Sequence, residues 1–191
     1  GYYKCSKKAA EDYIEEFEKR NHINYTILRF GSLYGPRADK NNGIYKIISS
    51  AVSKKKITYY GSNRATRNYI HVEDAAYVCA RILKKNFINK HIILMGPKKI
   101  QLKEFLKQLS KKLRIKKVLF LNKKQTGHYI NAPDTFKPRV GIRYNKIKHK
   151  NFLNEVIYLT NQLRKNKKIW TKICLNLFMQ LKLKNKMMSQ V

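Results

Sequence analysis

An α/β fold is what this 191-residue sequence predicts, and three observations predict it. Short β-branched runs such as YTILRF, ITYYG and HIILMG alternate with stretches whose apolar residues recur at three- and four-residue steps. Loops rich in Gly, Pro, Asn and Asp punctuate the two kinds of segment. Hydrophobic residues make up 43% of the chain and aromatic residues 12%, which is enough to bury a core.

The elements follow in order. A first helix spans about Lys4 to Arg20 and is broken by HIN. YTILRF, from Tyr25 to Phe30, reads as a buried strand bounded by Gly31. GSLYGPRADKNNG reads as a loop, and Ile44, Ile47, Ile48 and Ala51 then mark a short amphipathic helix. ITYYG is a brief strand, SNRATRN a loop and YIH another short strand. Val72, Ala75, Ala76, Cys79, Ile82 and Leu83 follow helical spacing, with Glu73 and Asp74 suited to the positive end of that helix. HIILMG is strand-like, Leu102, Phe105, Leu106, Leu109 and Leu113 give a further helix, and KKVLFL reads as the last strand. NFLNEVIYLTNQLRKN is helical again, whereas the stretch beyond Lys167 is basic and apolar with no acidic residue. The organisation expected is a domain over residues 1–160 and a basic amphipathic extension over 161–191, read as frayed or weakly packed, with a helix lying on a membrane or partner as the alternative.

Charge and cysteines narrow the setting. Lys and Arg number 43 against 11 Asp and Glu, a net charge of +32. Such a field draws anions of every kind. The lysines are nevertheless spread over nearly the whole length and far outnumber the arginines, which favours a solvated surface over a dedicated nucleic-acid or membrane face. Cys5, Cys79 and Cys174 are widely spaced and belong to no metal-ligand pattern. They read as small buried apolar residues of a reducing, cytoplasmic compartment, with no disulfide and no bound metal.

The chemistry starts at the first turn. Tyr3 and Lys7 are one helical turn apart and share a face. A phenol titrates near pH ~10, and a lysine cation beside it favours the phenolate, so the pair has the makings of a base that works near neutrality. The spacing alone is weak, since Tyr144 and Lys148 repeat it. What distinguishes the first pair is the series that follows: YKCSK, then LRFGSLYGPR, then RNYIHVED, then HYINAPDTFKPRVG.

In that order and spacing the chain resembles the extended short-chain dehydrogenases/reductases, in particular the NAD-dependent sugar epimerase/dehydratase group. The resemblance covers roughly residues 1–160. It implies the C-terminal part of a Rossmann-like fold with its smaller substrate-binding lobe. No GxxGxxG occurs in the sequence, so the chain is expected to be the part of a longer enzyme that follows the dinucleotide-binding half.

The resemblance also implies roles. Tyr3 is the catalytic base toward a sugar hydroxyl, and Lys7 holds the nicotinamide ribose and tunes the base. Tyr3, Lys7, Phe30 and Gly31 line the cofactor, which is NAD, with NADP left open. Ser32, Asn42, Tyr60 and Arg67 contact the nucleotide-sugar, and the forked donors of Arg67 suit its diphosphate. Ser32 stands where many members carry Asn. Pro133, Phe136, Pro138 and Gly141 fit a late substrate-lobe motif from which Ala132 and Asp134 depart. His71 and Asp74 read as structural, with Asp74 at a helix start. The partners implied are a nucleotide-sugar substrate and, at full length, a second copy of the chain. A second reading, from another class, is a non-catalytic remnant or basic module that holds nucleic acid or anionic membrane through its charge.

Overall fold

The computed structural model describes residues 2–121 and 141–188, with side chains among them except at 170 and 173–188. Of the late motif, Ala132, Pro133, Asp134, Phe136 and Pro138 lie outside the described residues, and Gly141 is exposed.

Helix α1 (Tyr2–Asn21) leads into strand β1 (Thr26–Phe30) and, across Gly31, into β2 (Ser32–Tyr34). Helix α2 (Gly43–Lys54) and β3 (Ile57–Tyr60) follow, then β4 (Thr66–His71) and α3 (Val72–Arg81). A single 3-10 turn at Lys85–Phe87 precedes β5 (Lys90–Leu94) and β6 (Lys99–Gln101). Helix α4 (Leu102–Leu113), β7 (Val118–Leu121), β8 (Ile142–Arg143) and helix α5 (Phe152–Met188) complete the order. The strands form three small sheets, β1-β5-β8, β2-β4-β6 and β3-β7, parallel throughout except for the β4–β6 pair.

Local chemistry sets the helix ends. The Asn42 carboxamide accepts from the backbone N–H groups of Ile44 and Tyr45, which caps α2. Lys55 then leaves the helix at φ 48°, and Arg114 does the same after α4 at φ 55°. His71, not Asp74, caps α3: its Nδ1 accepts from the Glu73 N–H at 3.3 Å. Asp74 instead faces His149, with 3.6 Å between Oδ2 and Nδ1.

Two apolar clusters hold these elements together. The larger joins Ile44, Ile47 and Ile48 of α2 to Leu102, Leu106 and Leu109 of α4, and receives Val156 and Leu159 from α5. The smaller packs Ala75, Val78 and Ile82 of the α3 segment under Ile92 and Leu94 of β5, with Tyr144 alongside. No helix among the described residues is long and apolar enough to cross a membrane.

Several expectations need correction. The segment read as a loop carries β2, because β4 pairs with Ser32, Leu33 and Tyr34 across the sheet. Strand β4 begins at Thr66, inside the stretch read as SNRATRN loop. Neither β6 nor β8 was expected, so KKVLFL is not the last strand. On α3 the inward residues are Ala75 and Val78, while Ala76 is exposed and Leu83, beyond the helix, is 87% exposed. Cys5 is exposed and Cys79 only half-buried, so neither is the buried residue expected. The chain stays helical without a break from Phe152 to Met188, across the expected boundary at residue 160.

Leu106 is fully buried in the larger cluster. Leu106→Ala is expected to cost about 2–5 kcal/mol in urea unfolding, the range for an unrelieved cavity. A loss below about 1 kcal/mol would mean that the larger cluster is not the stabilising core.

Candidate active site

The site is built on the first helix, and that helix is held in an unusual way. No residue of α1 is buried. The side-chain hydrogen bonds that tie it to the sheet fall on the stripe Glu11, Glu15 and Glu18. Arg29 of β1 donates from Nε to Glu11 Oε1 at 2.7 Å and from Nη2 to Glu11 Oε2 at 2.5 Å, a bidentate pair whose side chains are 21% and 16% exposed. The same Nη2 lies 2.9 Å from His91 Nδ1. Guanidinium has no acceptor, so Nδ1 accepts there and the ring hydrogen sits on Nε2, which donates to Glu15 Oε1 at 2.7 Å. One turn further, Glu18 accepts from Asn89 at 2.9 Å.

This ladder fixes direction. Glu18 meets the residue that precedes β5, Glu15 meets its second residue, and Glu11 meets Arg29 near the end of β1. Helix α1 therefore runs antiparallel to β1 and β5. Tyr3 lies about 12 Å of helix beyond Glu11, toward the carboxyl ends of those strands. Ligands of open parallel sheets collect at that edge.

At the edge the structure sets Tyr3 and Lys7 side by side. Tyr3 is 66% exposed, and the Lys7 ammonium stands 5.6 Å from the centre of its ring, over the face. Phe30 ends β1 and is 38% exposed. Gly31 follows it, half-buried, its N–H donating to the Leu94 carbonyl at 2.7 Å, and the half-buried Ser32 then opens β2.

Glycines bring the second sheet to this edge. A Cβ on Gly31 would stand 2.6 Å from the Asn68 carbonyl oxygen, and one on Gly96 only 2.0 Å from that of Tyr69. Strand β4 thus crosses the carboxyl ends of β1 and β5 at a distance only glycine permits. It carries Arg67 there, next to Asn68, half-buried and donating to the Thr66 carbonyl at 2.7 Å.

The remaining expected residues sit apart. Asn42 donates to the Leu33 carbonyl at 2.9 Å while its oxygen caps α2, which leaves one amide hydrogen for any other partner. Tyr60 ends β3 in the third sheet and is 39% exposed. Among the described residues no group of three or more His, Cys, Asp or Glu is placed to hold a metal.

Sequence reasoning missed the ladder and also Asn68. That side chain is buried, its amide nitrogen touches Met95 sulfur at 3.1 Å, and its oxygen has no hydrogen-bond partner. Its one sequence signal was position, between Arg67 and the YIHV run.

Hydrogen bonds from Arg29 hold the Glu11 carboxyl below its ordinary value of 4.5, against the opposing pull of partial burial. A lowered folded value means that the pair stabilises fully above that ordinary value and is lost as pH falls through the folded one. Glu11→Gln is expected to cost about 1–3 kcal/mol at neutral pH in urea unfolding. That deficit is expected to close as the titration is repeated below pH ~4. A deficit that persists unchanged in acid would assign Glu11 a role other than its pair with Arg29.

Comparison with known proteins gives the family. The model of the NAD dependent epimerase/dehydratase family matches residues 1–96. A dTDP-D-glucose 4,6-dehydratase of Dictyostelium discoideum is 31% identical over 86 residues, which are 45% of this chain and 20% of that protein. A putative UDP-glucose 4-epimerase of Methanocaldococcus jannaschii is 30% identical over 91 residues, 46% of this chain and 29% of that protein. The chain therefore spans between a fifth and a third of these curated relatives. Among solved structures, UDP-glucuronic acid 4-epimerase from Bacillus cereus, in complex with UDP-glucuronic acid and NAD, aligns at a TM-score of 0.56 and 25% identity. That alignment covers 68% of this chain and 42% of the other. A dTDP-glucose 4,6-dehydratase from Bacillus anthracis, in complex with NAD, shares the fold at a TM-score of 0.69 and 18% identity, over 89% of this chain and 54% of the other. Both are Rossmann-fold enzymes, and the parallel strands with flanking helices described above are the corresponding part of that fold. With half of its length matched by the family model, the chain belongs to the NAD-dependent epimerase/dehydratase family.

Proposed function

We propose that this chain supplies the catalytic helix and substrate lobe of an NAD-dependent enzyme that epimerises or dehydrates a nucleotide-diphosphate sugar. The observation that carries the reading is the exposed Tyr3–Lys7 pair at the carboxyl edge of β1 and β5, where β4 also delivers Arg67.

The residues present suit the nicotinamide end of NAD: a phenol and an ammonium stand together, open to solvent, on a helix that runs toward the edge where β1 ends in the exposed Phe30. When bound, the nicotinamide supplies the acceptor and donor of hydride. Tyr3 takes the proton of the sugar hydroxyl at its phenolic oxygen, and Lys7 keeps positive charge beside it. Ser32 and the free amide hydrogen of Asn42 orient the sugar, and Tyr60 closes the nucleotide side. Arg67 grips the diphosphate with its fork. The sequence holds no GxxGxxG to place a pyrophosphate on a helix N-terminus, so in this reading the other half of the cofactor site comes from residues outside this chain. The exposed rings of Tyr13 and Phe17 on α1 are then the surface on which a second copy packs at full length.

Calorimetric titration of the chain with UDP-glucose and with NAD tests the reading. The nucleotide-sugar is expected to bind and NAD alone to give no measurable heat. Arg67→Lys keeps the charge but loses the fork and is expected to weaken the sugar nucleotide by about 1–3 kcal/mol, at low and high salt alike. A loss that vanishes at high salt would reduce Arg67 to one more contributor to a diffuse field and overturn its role as a clamp.

A further inference from the structure

The charge of this chain is not evenly solvated. An open groove of about 1160 Å³ lies between the C-terminal ends of α2 and α4 and the middle of α5, on elements remote in sequence from the Tyr3–Lys7 pair. Nine of its fifteen lining residues are Lys or Arg and none is acidic. Lys55, Arg114, Lys116 and Lys117 enter from one side, and Arg164, Lys168 and Lys172 of α5 from the other. All are exposed except the half-buried Arg164. Among the described residues no carboxylate pairs with any of them.

Two of these cations have a structural reason. Lys55 and Arg114 are the left-handed residues that end α2 and α4, where a cation answers the carbonyls left open by the last turn. The cations of α5 have no such reason. They lie well inside a helix of 37 residues, away from both ends, so the helix dipole does not call for them. Arg164, Lys168 and Lys172 stand four residues apart, which stacks like charges about 6 Å apart along one line and destabilises the helix. No acidic residue follows Glu155 on α5 to neutralise them. Lys116 and Lys117 add two further charges from across the recess. An anion held between the two sides relieves the repulsion on both.

The geometry also says which anion. A row of cations on one side suits a flat, extended charge such as a bilayer surface. Here cations flank a recess, so the charge that fits is compact and enters between them. The floor is aliphatic, with Val52 and Leu113, and no aromatic ring among the described residues lines the groove to stack the bases of a nucleic-acid strand. Linked phosphates are a compact form of multiple negative charge, and their oxygens accept charge-assisted hydrogen bonds from several ammonium groups at once.

We propose that this groove is a binding site for a small polyphosphate, two or more linked phosphates held between Lys116 and Lys117 on one side and Lys168 and Lys172 on the other. The phosphates belong to an inorganic polyphosphate or to the phosphate chain of a nucleotide, and the chemistry that the groove reads is the same in both. None of its residues is assigned to the proposed enzyme activity, so the two stand or fall apart. The site revises the expectation of a merely solvated surface, because the lysines converge in space although they are scattered in sequence.

Calorimetric titration of the full chain with sodium tripolyphosphate tests it, at about 0.15 M salt, where a diffuse field is largely screened. A net charge of +32 attracts any anion, so location has to be separated from total charge. The groove variant is Lys116→Gln/Lys117→Gln/Lys168→Gln/Lys172→Gln. The control is Lys40→Gln/Lys46→Gln/Lys103→Gln/Lys107→Gln, at exposed lysines that do not line the groove. Both lose the same charge. The control is expected to bind as the wild type does, and the groove variant at least ~10-fold more weakly. Lys168→Gln/Lys172→Gln changes only exposed residues of α5 and guards against misfolding. With circular dichroism matching the wild type, it is expected to bind more weakly than Lys103→Gln/Lys107→Gln. Arg67→Lys is expected to leave tripolyphosphate binding unchanged. ADP titrated into the same series separates the two sources. Binding of ADP that is lost with the groove lysines assigns a nucleotide, and binding of tripolyphosphate alone assigns a free polyphosphate. Equal losses in groove and control variants would overturn the proposal, as would a loss that follows Arg67→Lys instead. So would a chain that binds phosphatidylserine vesicles or polyuridylate but not tripolyphosphate, or that binds none of the three.

Discussion

Arg29 occupies the point on which the geometry of the first helix turns. A twenty-residue helix with no buried side chain has little apolar surface to hold it to a sheet. Short isolated helices are marginal in water, so its docking rests on what its polar stripe can bond. Arg29 answers Glu11 with two hydrogen bonds and His91 with a third, and His91 passes the chain on to Glu15. Each group is partly shielded from water, which makes such charge-assisted bonds stronger than exposed pairs. The cost of the arrangement is its dependence on completeness, since removal of one member leaves the others desolvated and unpaired.

From that ladder the site follows geometrically. The antiparallel run of α1 against β1 and β5 carries Tyr3 and Lys7 past the carboxyl edge, and the absence of side chains at Gly31 and Gly96 lets β4 cross the same edge. Two unlike contacts, one electrostatic and one steric, therefore meet at a single location. Neither belongs to the apolar clusters, which lie under α2, α3, α4 and α5. The core builds the platform, and polar and glycine contacts aim the chemistry.

Much of this was legible in the amino-acid sequence, and the failures have physical reasons. Alternating periods identified α2, α3 and α4 and strands β1, β3, β5 and β7, because each covers a clear stripe or run, whereas α1 showed in its run of good helix formers. Strands β2, β6 and β8 have two or three residues each, too short for any period to show, and they exist because a partner strand stands beside them. The extension expected from residue 161 was set apart by its charge, yet Lys, Leu, Gln and Met are good helix formers and the helix runs on through it. The order of the motifs singled out Tyr3, Lys7 and Arg67, but Glu11, Glu15 and Glu18 belong to none of those motifs. A hint was present in Arg29, a cation inside a β-branched run, which has to find a partner when that strand is covered.

The central claim is that Arg29 holds α1, and with it the Tyr3–Lys7 pair, against the parallel sheet. Amide hydrogen exchange across residues 2–21 measures that directly, in the wild-type chain and in Arg29→Met, which keeps the bulk of the side chain and removes the donors. The account predicts that α1 amides lose about 10-fold or more in protection, the factor for about 1.4 kcal/mol of docking, while those of α4 stay unchanged. Equal protection of α1 in the two proteins would show that something other than the carboxylate ladder holds the helix, and would contradict the account.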